Sequence, residues 1–240
     1  MKIRMNKLSC VTFTLLNTSI NYNYRIKMLT TLLQSLDADI ICLQNVLLTC
    51  IKSILDTDWG KHYHYNTIDN NNRIHTELIL SRYPIIVNES LQFNTTLHNN
   101  YLTIVDINIP IGSNITMKDN LTIGTAQLDS ISYYQENQIE STLHLLNDNK
   151  NVILMGNMNT DEDISLLPDW HDIYYKLGEP LEHQFTVNSE LNENVSGHNV
   201  YRPDRILYKS TKLKPHLMKL IGVSEQISNH FGIYAEFNIR

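Results

Sequence analysis

The chain has 240 residues, of which 42% are hydrophobic, so it is long and apolar enough to bury a sizeable core and is not a disordered segment. Its formal net charge of -6 argues against a non-specific nucleic-acid binder, which needs a basic surface. No window reaches the roughly 18 to 20 consecutive apolar residues of a membrane span, so we expect no membrane partner.

The cysteines point to a reducing compartment. Cys10, Cys42 and Cys50 are odd in number, lie among apolar neighbours and have no metal-binding spacing, so we predict buried thiols. Together with an N-terminus that leads into a strand, this favours an intracellular location, with cytoplasm and nucleus both open. Six of the 19 basic residues fall between Arg202 and Lys219, where we expect a solvated face.

Strand-like and helix-like segments alternate along the chain, which is typical of a layered α/β domain. The pattern shows neither an internal repeat nor a long linker, so we predict a single domain over residues 1–240. In chain order we predict strand 8–17, helix 24–36, strands 38–46, 77–80, 101–109 and 121–127, helix 133–146, and strands 151–155, 205–208 and 232–239.

Polar residues stand where these strands end, and ligand sites of α/β domains gather at such ends. Each place taken alone is most often a turn or a cap, but six in this order are hard to dismiss. They are Asn17 in LLNTS, Asn45 in ICLQNV, Gln127 to Ser130 in GTAQLDS, Gly156 to Asn159 in ILMGNMN, Asp204 in YRPDRILY, and Ser228 to His230 in ISNHFG.

This ordered set resembles the endonuclease/exonuclease/phosphatase superfamily, whose members carry a strand-end Asn, LQE, T-x-H-L, GDxN, DR-I and SDH. Within it, the chain is most similar to the tyrosyl-DNA phosphodiesterase 2 branch. DADIICLQNV resembles that branch's DADI-x-x-LQEV, AQLDSISYYQENQIESTLHLL its SHLES segment and following helix, and LGEP to RPDRI its LGxP to RFDRI region. The resemblance covers nearly the whole chain and implies a four-layer α/β sandwich of two mixed β-sheets flanked by helices, as in DNase I.

The resemblance also implies roles for four retained positions. Asn17 and Asn159 match the asparagines that hold the scissile phosphate in the family. His230 matches the SDH histidine that contacts the phosphate. Asp204 matches the DR-I aspartate that steadies this histidine, so we predict a hydrogen bond between Asp204 and the His230 imidazole.

Four other family positions have changed. Asn45 replaces the LQE glutamate that is the principal Mg²⁺ ligand, and Asn157 replaces the GDxN aspartate that orients or deprotonates the attacking water. Asn229 replaces the SDH aspartate beside the metal, and Gln127 replaces the T-x-H-L histidine. The acid and serine after that histidine survive as Asp129 and Ser130.

These changes remove charge from the site. Asparagine keeps one acceptor oxygen of aspartate but loses the negative charge and cannot take a proton. Mg²⁺ is usually held by one or two carboxylates, so we expect no cofactor, and Mg²⁺ only if some activity remains. Three hypotheses stay open. The first is an inactive relative that binds a phosphate-bearing ligand, a nucleic-acid 5′ end or a protein partner. The second is an active divergent metal-dependent phosphodiesterase or nuclease, and the third is an inert structural module.

Overall fold

A computed structural model describes residues 6–16, 18, 20–68, 73–111, 115–116 and 120–240. In these ranges the helices are α1 (Tyr22–Leu36), α2 (Leu48–Leu55), α3 (Ser132–Leu146) and α4 (Ile173–Lys176), with 3-10 turns at Gly60–His62 and Leu181–His183. The strands are β1 (Lys7–Thr14), β2 (Ile40–Leu47), β3 (His64–Tyr65), β4 (His75–Ser81), β5 (Ile85–Gln92), β6 (Tyr101–Ile107), β7 (Pro110–Ile111), β8 (Ile115–Thr116), β9 (Leu121–Gln127), β10 (Val152–Asn157), β11 (His171–Asp172), β12 (Val187–Asn188), β13 (Val200–Tyr201), β14 (Asp204–Lys209), β15 (Leu213–Ile221) and β16 (Gly232–Ile239).

Two mixed sheets dominate the described ranges. Sheet A has the strand order β15-β16-β1-β2-β4-β3, and sheet B has the order β11-β14-β10-β9-β6-β5. Each sheet contains one parallel pair, β1 with β2 and β9 with β10, and each pair is joined by a helix, α1 or α3. Because the two strands of a parallel pair end at the same edge, each sheet gathers the carboxyl ends of two strands at one edge.

The helices and sheets form four layers. Side chains of both sheets pack face to face in the central core, for example Cys42 of sheet A and Met155 of sheet B. Helix α1 places Leu29 and Leu33, four residues apart on one helix face, in the core on the outer side of sheet A. Helix α3 does the same with Leu143 on sheet B. The predicted four-layer α/β sandwich is thereby confirmed.

The predicted strands and helices are all present, and no end differs by more than three residues from its predicted position, a difference typical of helix and strand boundaries. Three longer elements were not predicted: α2, β5 and β15. Helix α2 follows β2 without a polar break, so its apolar residues read as a continuation of the strand. Strand β5 is largely exposed, and β15 contains Pro215 and a register shift beside it, which both weaken an alternating pattern.

Two side-chain predictions have clear outcomes. The three cysteines are free and buried, as predicted, and burial raises the pKa of the Cys10 and Cys42 thiols. The solvated basic face is wrong for Arg202 and Arg205, because both guanidinium groups are buried and lie 3.0 Å and 3.1 Å from Asp172 Oδ2. None of the helices in the described ranges has the length and apolar character needed to cross a membrane.

Candidate functional site

The polar strand ends meet at one edge of the sandwich. In sheet B, Asn157 is paired with Gln127 on one side and with Asp204 on the other. In sheet A, Thr14 is paired with Gln44 across the parallel strands β1 and β2. Three of the segments singled out in the sequence are therefore neighbours in sheet B, and Thr14 and Gln44 lie at the ends of neighbouring strands in sheet A.

Hydrogen bonds join the two sheets at this edge. Thr14 Oγ1 of sheet A donates to Asp204 Oδ1 of sheet B at 2.6 Å. Gln44 Nε2 of sheet A donates to Thr125 Oγ1 of sheet B at 2.8 Å, and Gln44 is fully buried. Buried polar groups need such partners, since an unsatisfied one costs about 1–3 kcal/mol. The edge is thus a fixed polar layer in an otherwise apolar interface.

The predicted contact between Asp204 and His230 is confirmed. His230 Nδ1 lies 2.7 Å from Asp204 Oδ2, and because a carboxylate oxygen accepts, Nδ1 carries the hydrogen. The same carboxylate accepts hydroxyl hydrogen bonds from Thr14 at Oδ1 and from Thr186 at Oδ2, each at 2.6 Å. Asp204 is 1% exposed, and both of its carboxylate oxygens accept hydrogen bonds. Its hydrogen bond with Nδ1 orients the His230 ring.

Asn157 and Asn159 are tied to one another. The Asn159 backbone N–H donates to Asn157 Oδ1 at 2.8 Å, and Asn159 Nδ2 donates to the Leu128 carbonyl. Asn159 has a φ of 52°, a left-handed conformation that Asn tolerates better than most residues. Gly156, inside β10, allows the close approach of the neighbouring strand, because a Cβ there would overlap the Ala126 carbonyl. The only side-chain acceptor of Asn157 is thus already bonded.

Asn45 lies in an irregular part of β2, where the register with β4 shifts between Leu43 and Val46. Its backbone is left-handed, with a φ of 62°, and its Nδ2 donates to the Leu15 carbonyl at 3.1 Å. The bulge turns this residue out of the regular pleat of the strand. Asn45, at the position of the family's metal ligand, therefore lies in a bulge and carries an amide side chain.

The hydrogen bonds of the retained acid Asp129 stabilise the fold. Its Oδ2 accepts hydrogen bonds from Thr96 Oγ1, the Leu97 backbone N–H and Gln138 Nε2 at 2.9 Å, 3.0 Å and 2.7 Å. The side chain is fully buried. Asp129 therefore fixes the connection between β5 and β6 against helix α3.

A cleft of about 760 Å³ opens at this edge, with Asn45, Gln127, Ser130 and Asn159 in its walls. Asn157 and His230 are 1% and 7% exposed and do not line it. Asn229 is half-buried, and its Oδ1 accepts the Ser228 hydroxyl at 3.2 Å. Asn17 lies outside the described residues. The structure thus brings the predicted positions to one edge but divides them between a cleft wall and a buried network.

The sequence analysis did not identify one wall of this cleft. Arg73, His75 and Glu77 occupy alternate positions leading into and along β4, and all three line the cleft. Burial raises the pKa of Glu77 to about 7, although its own backbone N–H and the Arg73 guanidinium lower it, and burial lowers the pKa of His75. The signal was the polar alternation in RIHTEL, which reads equally well as the exposed face of a strand.

The residues at the family's metal position do not fit Mg²⁺. Asn45, Asn157 and Asn229 supply amide oxygens in place of carboxylates, and two of these oxygens already accept hydrogen bonds. Asp204 and Asp129 are buried, bond hydroxyl and amide donors and do not line the cleft, although Asp129 Oδ1 has no hydrogen-bond partner among the described residues. In the described part of the chain, no group of three or more His, Cys, Asp or Glu side chains is placed to hold a metal ion.

The fold is that of a four-layer sandwich with a polar cluster at its strand ends, and a family comparison identifies the class of protein. The Endonuclease/Exonuclease/phosphatase family matches residues 14–230, and the chain belongs to this family. No curated protein matches the sequence significantly.

Solved structures share the fold over almost the full length. TDP2 from D. rerio, complexed with a single strand DNA product, matches at a TM-score of 0.83 and 22% identity, covering 97% of this chain and 99% of that one. Truncated TDP2 from Caenorhabditis elegans matches at 0.81 and 17%, covering 97% of both chains. A mannosyl-6-phosphatase from Bacteroides thetaiotaomicron matches at 0.72 and 14%, covering 96% and 99%.

Proposed function

We propose that this chain is a catalytically inactive relative of the metal-dependent phosphodiesterases that binds a phosphate-bearing ligand without hydrolysing it. The observation that carries the proposal is the burial of the two remaining matched acids away from the cleft. Asp204 accepts three side-chain hydrogen bonds and Asp129 accepts hydrogen bonds from three donors at Oδ2. Asp129 Oδ1 has no hydrogen-bond partner among the described residues, but both carboxylates are buried and neither lines the cleft. Neither is therefore placed to replace the metal ligand missing at Asn45 or the base missing at Asn157.

The same substitutions favour anion binding. Several carboxylates close together repel a phosphate unless a metal ion lies between them, whereas amides supply donors and acceptors without charge. Asn17, Asn159 and His230 are the retained phosphate-contacting positions. A nucleic-acid 5′ phosphate is the first ligand to test, since the D. rerio TDP2 structure holds a single strand DNA product. The buried free thiols support an intracellular setting for this role.

The test is calorimetric titration of the protein with a 5′-phosphorylated oligonucleotide in EDTA, with the unphosphorylated oligonucleotide as ligand control. Binding should persist without metal, require the phosphate and weaken as salt rises. His230→Ala should reduce it, whereas His216→Ala, which removes an exposed imidazole from β15, should not. Loss of binding in EDTA, or equal binding of both oligonucleotides, would contradict the proposal and leave a protein partner or an inert module.

A second function, divergent catalysis, is favoured by Glu77. A carboxyl group with a pKa of about 7 in the cleft has the proton affinity that a general acid or base needs near neutral pH. Hydrolysis of 5′-tyrosyl-DNA or of a simple phosphodiester that is abolished by Glu77→Gln would establish this alternative. We expect no such turnover, with or without Mg²⁺.

A further inference from the structure

The proposed function leaves the phosphate short of positive charge. His230 is the only retained family position whose side chain is basic, and that residue is 7% exposed and does not line the cleft. A phosphate held away from water needs a cation or several directed donors, because transfer of an unpaired charge from water is costly. The charged and imidazole groups that do line the cleft are Arg73, His75, Glu77 and His98.

Arg73 is held across the cleft by an aromatic ring. Its guanidinium carbon lies 3.0 Å from the centroid of the Tyr101 ring, within the range of a cation–π contact. Tyr101 precedes Leu102, which is paired with Ala126, so the ring lies beside the Gln127 end of β9. Arg73 itself precedes β4, whose first residues are paired with β2 just beyond Asn45. The contact therefore joins sheet A to sheet B at the site.

Two side-chain nitrogens in this wall lack partners. Arg73 Nε and His75 Nε2 are buried and make no hydrogen bond with any residue that the structure describes. Buried polar groups are nearly always paired, so each such group calls for a ligand or water. A guanidinium that stacks on a ring keeps its N–H donors for a second partner, and their fork matches two oxygens of a phosphate.

We propose that Arg73 takes over the charge-neutralising task that a metal ion has in the family, and that Arg73 and His75 bind the phosphate group of the ligand in this cleft. This inference rests on the proposed function and names the residues that would make metal-free binding work. The ligand that we propose for the cleft is a phosphate ester, since an apolar or cationic ligand would leave the guanidinium of Arg73 unpaired.

The competing explanation is that Arg73 only balances Glu77, four residues further along the same strand face. The two explanations differ in whether the gain from removing the acid needs Arg73. If Arg73 binds the ligand, Glu77 competes with the phosphate for it, and Glu77→Gln should tighten binding at about pH 8 by about threefold or more, a gain that Arg73→Gln reduces. If Arg73 only balances Glu77, the acid acts on the phosphate through its charge alone, and Glu77→Gln should give the same gain whether or not Arg73→Gln is present.

The experiment measures affinity for the 5′-phosphorylated oligonucleotide and for inorganic phosphate in EDTA. Arg73→Gln should weaken binding by about tenfold or more, the loss expected for hydrogen bonds to a charged group, and Arg73→Lys should lose less because it keeps the charge. The matched control is Arg82→Gln. Arg82 also lies over a tyrosine ring, that of Tyr63, but it does not line the cleft, so its loss should not change affinity.

The outcomes separate the two levels of inference. If His230→Ala weakens binding but Arg73→Gln binds within about twofold of wild type, the role of Arg73 is overturned and the proposed function stands. If the wild-type protein binds neither ligand in EDTA, the proposed function falls, and the role of Arg73 with it. Should Arg73→Gln fail to fold, Glu77→Gln decides, since unchanged or weaker binding in that variant overturns the role of Arg73.

Discussion

Replacing Glu77 by glutamine should stabilise the protein at alkaline pH and leave it almost unchanged at acidic pH. The folded chain raises the pKa of Glu77 from 4.5 to about 7, mainly through burial, and the side chain is 7% exposed. Between these values the folded state keeps a proton that the unfolded state has released, so stability falls as pH rises from about 4.5 to about 7. The difference in pKa corresponds to about 3 kcal/mol above neutral pH, which the neutral amide avoids.

Urea unfolding followed by tryptophan fluorescence at about pH 5 and about pH 8 measures this effect. The wild type and Glu77→Gln should differ by up to about 3 kcal/mol at the higher pH, or roughly 6 to 12 °C in melting temperature, and by less than about 1 kcal/mol at the lower pH. Glu89→Gln is the control, because it makes the same chemical change at an exposed position of β5. A constant difference between Glu77→Gln and wild type at both pH values would refute the burial of an ionisable carboxyl at this position.

Three further predictions concern buried groups and the metal. Asp204→Asn should cost on the order of 3 kcal/mol in denaturant unfolding, since it weakens hydrogen bonds to two hydroxyls and an imidazole, and a loss below about 1 kcal/mol would contradict that network. Asp172→Ala should cost about 3–5 kcal/mol in the same assay, because two buried guanidinium groups lose their shared carboxylate, and retention of wild-type stability would be the contrary result. Calorimetric titration with Mg²⁺ should show no binding to the wild type but measurable binding to the triple variant Asn45→Glu, Asn157→Asp, Asn229→Asp. If neither protein binds Mg²⁺, residues other than these three also prevent metal binding.

The sequence was sufficient for the elements whose burial is regular. Strands β9 and β16 have the predicted bounds, because each is apolar throughout or alternates cleanly between polar turns. The polar strand ends were also expected to gather at one site, and Asn157, Gln127 and Asp204 do lie at one edge. Asn157 and Gln127 end the neighbouring parallel strands β10 and β9, whereas Asp204 begins β14, which runs antiparallel to β10.

The cleft wall was beyond sequence reasoning for a physical reason. Whether the alternating polar residues of RIHTEL face water or a cleft depends on which strand of the other sheet stands opposite, and that is a tertiary fact. The division of the site had the same origin. Asn159 and Asn157 are two residues apart, yet the left-handed backbone at Asn159 leaves one in the cleft wall and the other in the buried network.

The hydrogen bonds that fasten sheet A to sheet B at the site edge have a consequence for the kinetics of ligand binding. Gln44 and Thr14 on one sheet, with Thr125 and Asp204 on the other, hold the neighbouring strand ends in position before any ligand arrives. A ligand then loses little free energy to reorganisation, since pre-organisation reduces the entropy cost of association. Binding should accordingly be a single fast step limited by diffusional encounter, and changes in affinity among variants should appear in the dissociation rate.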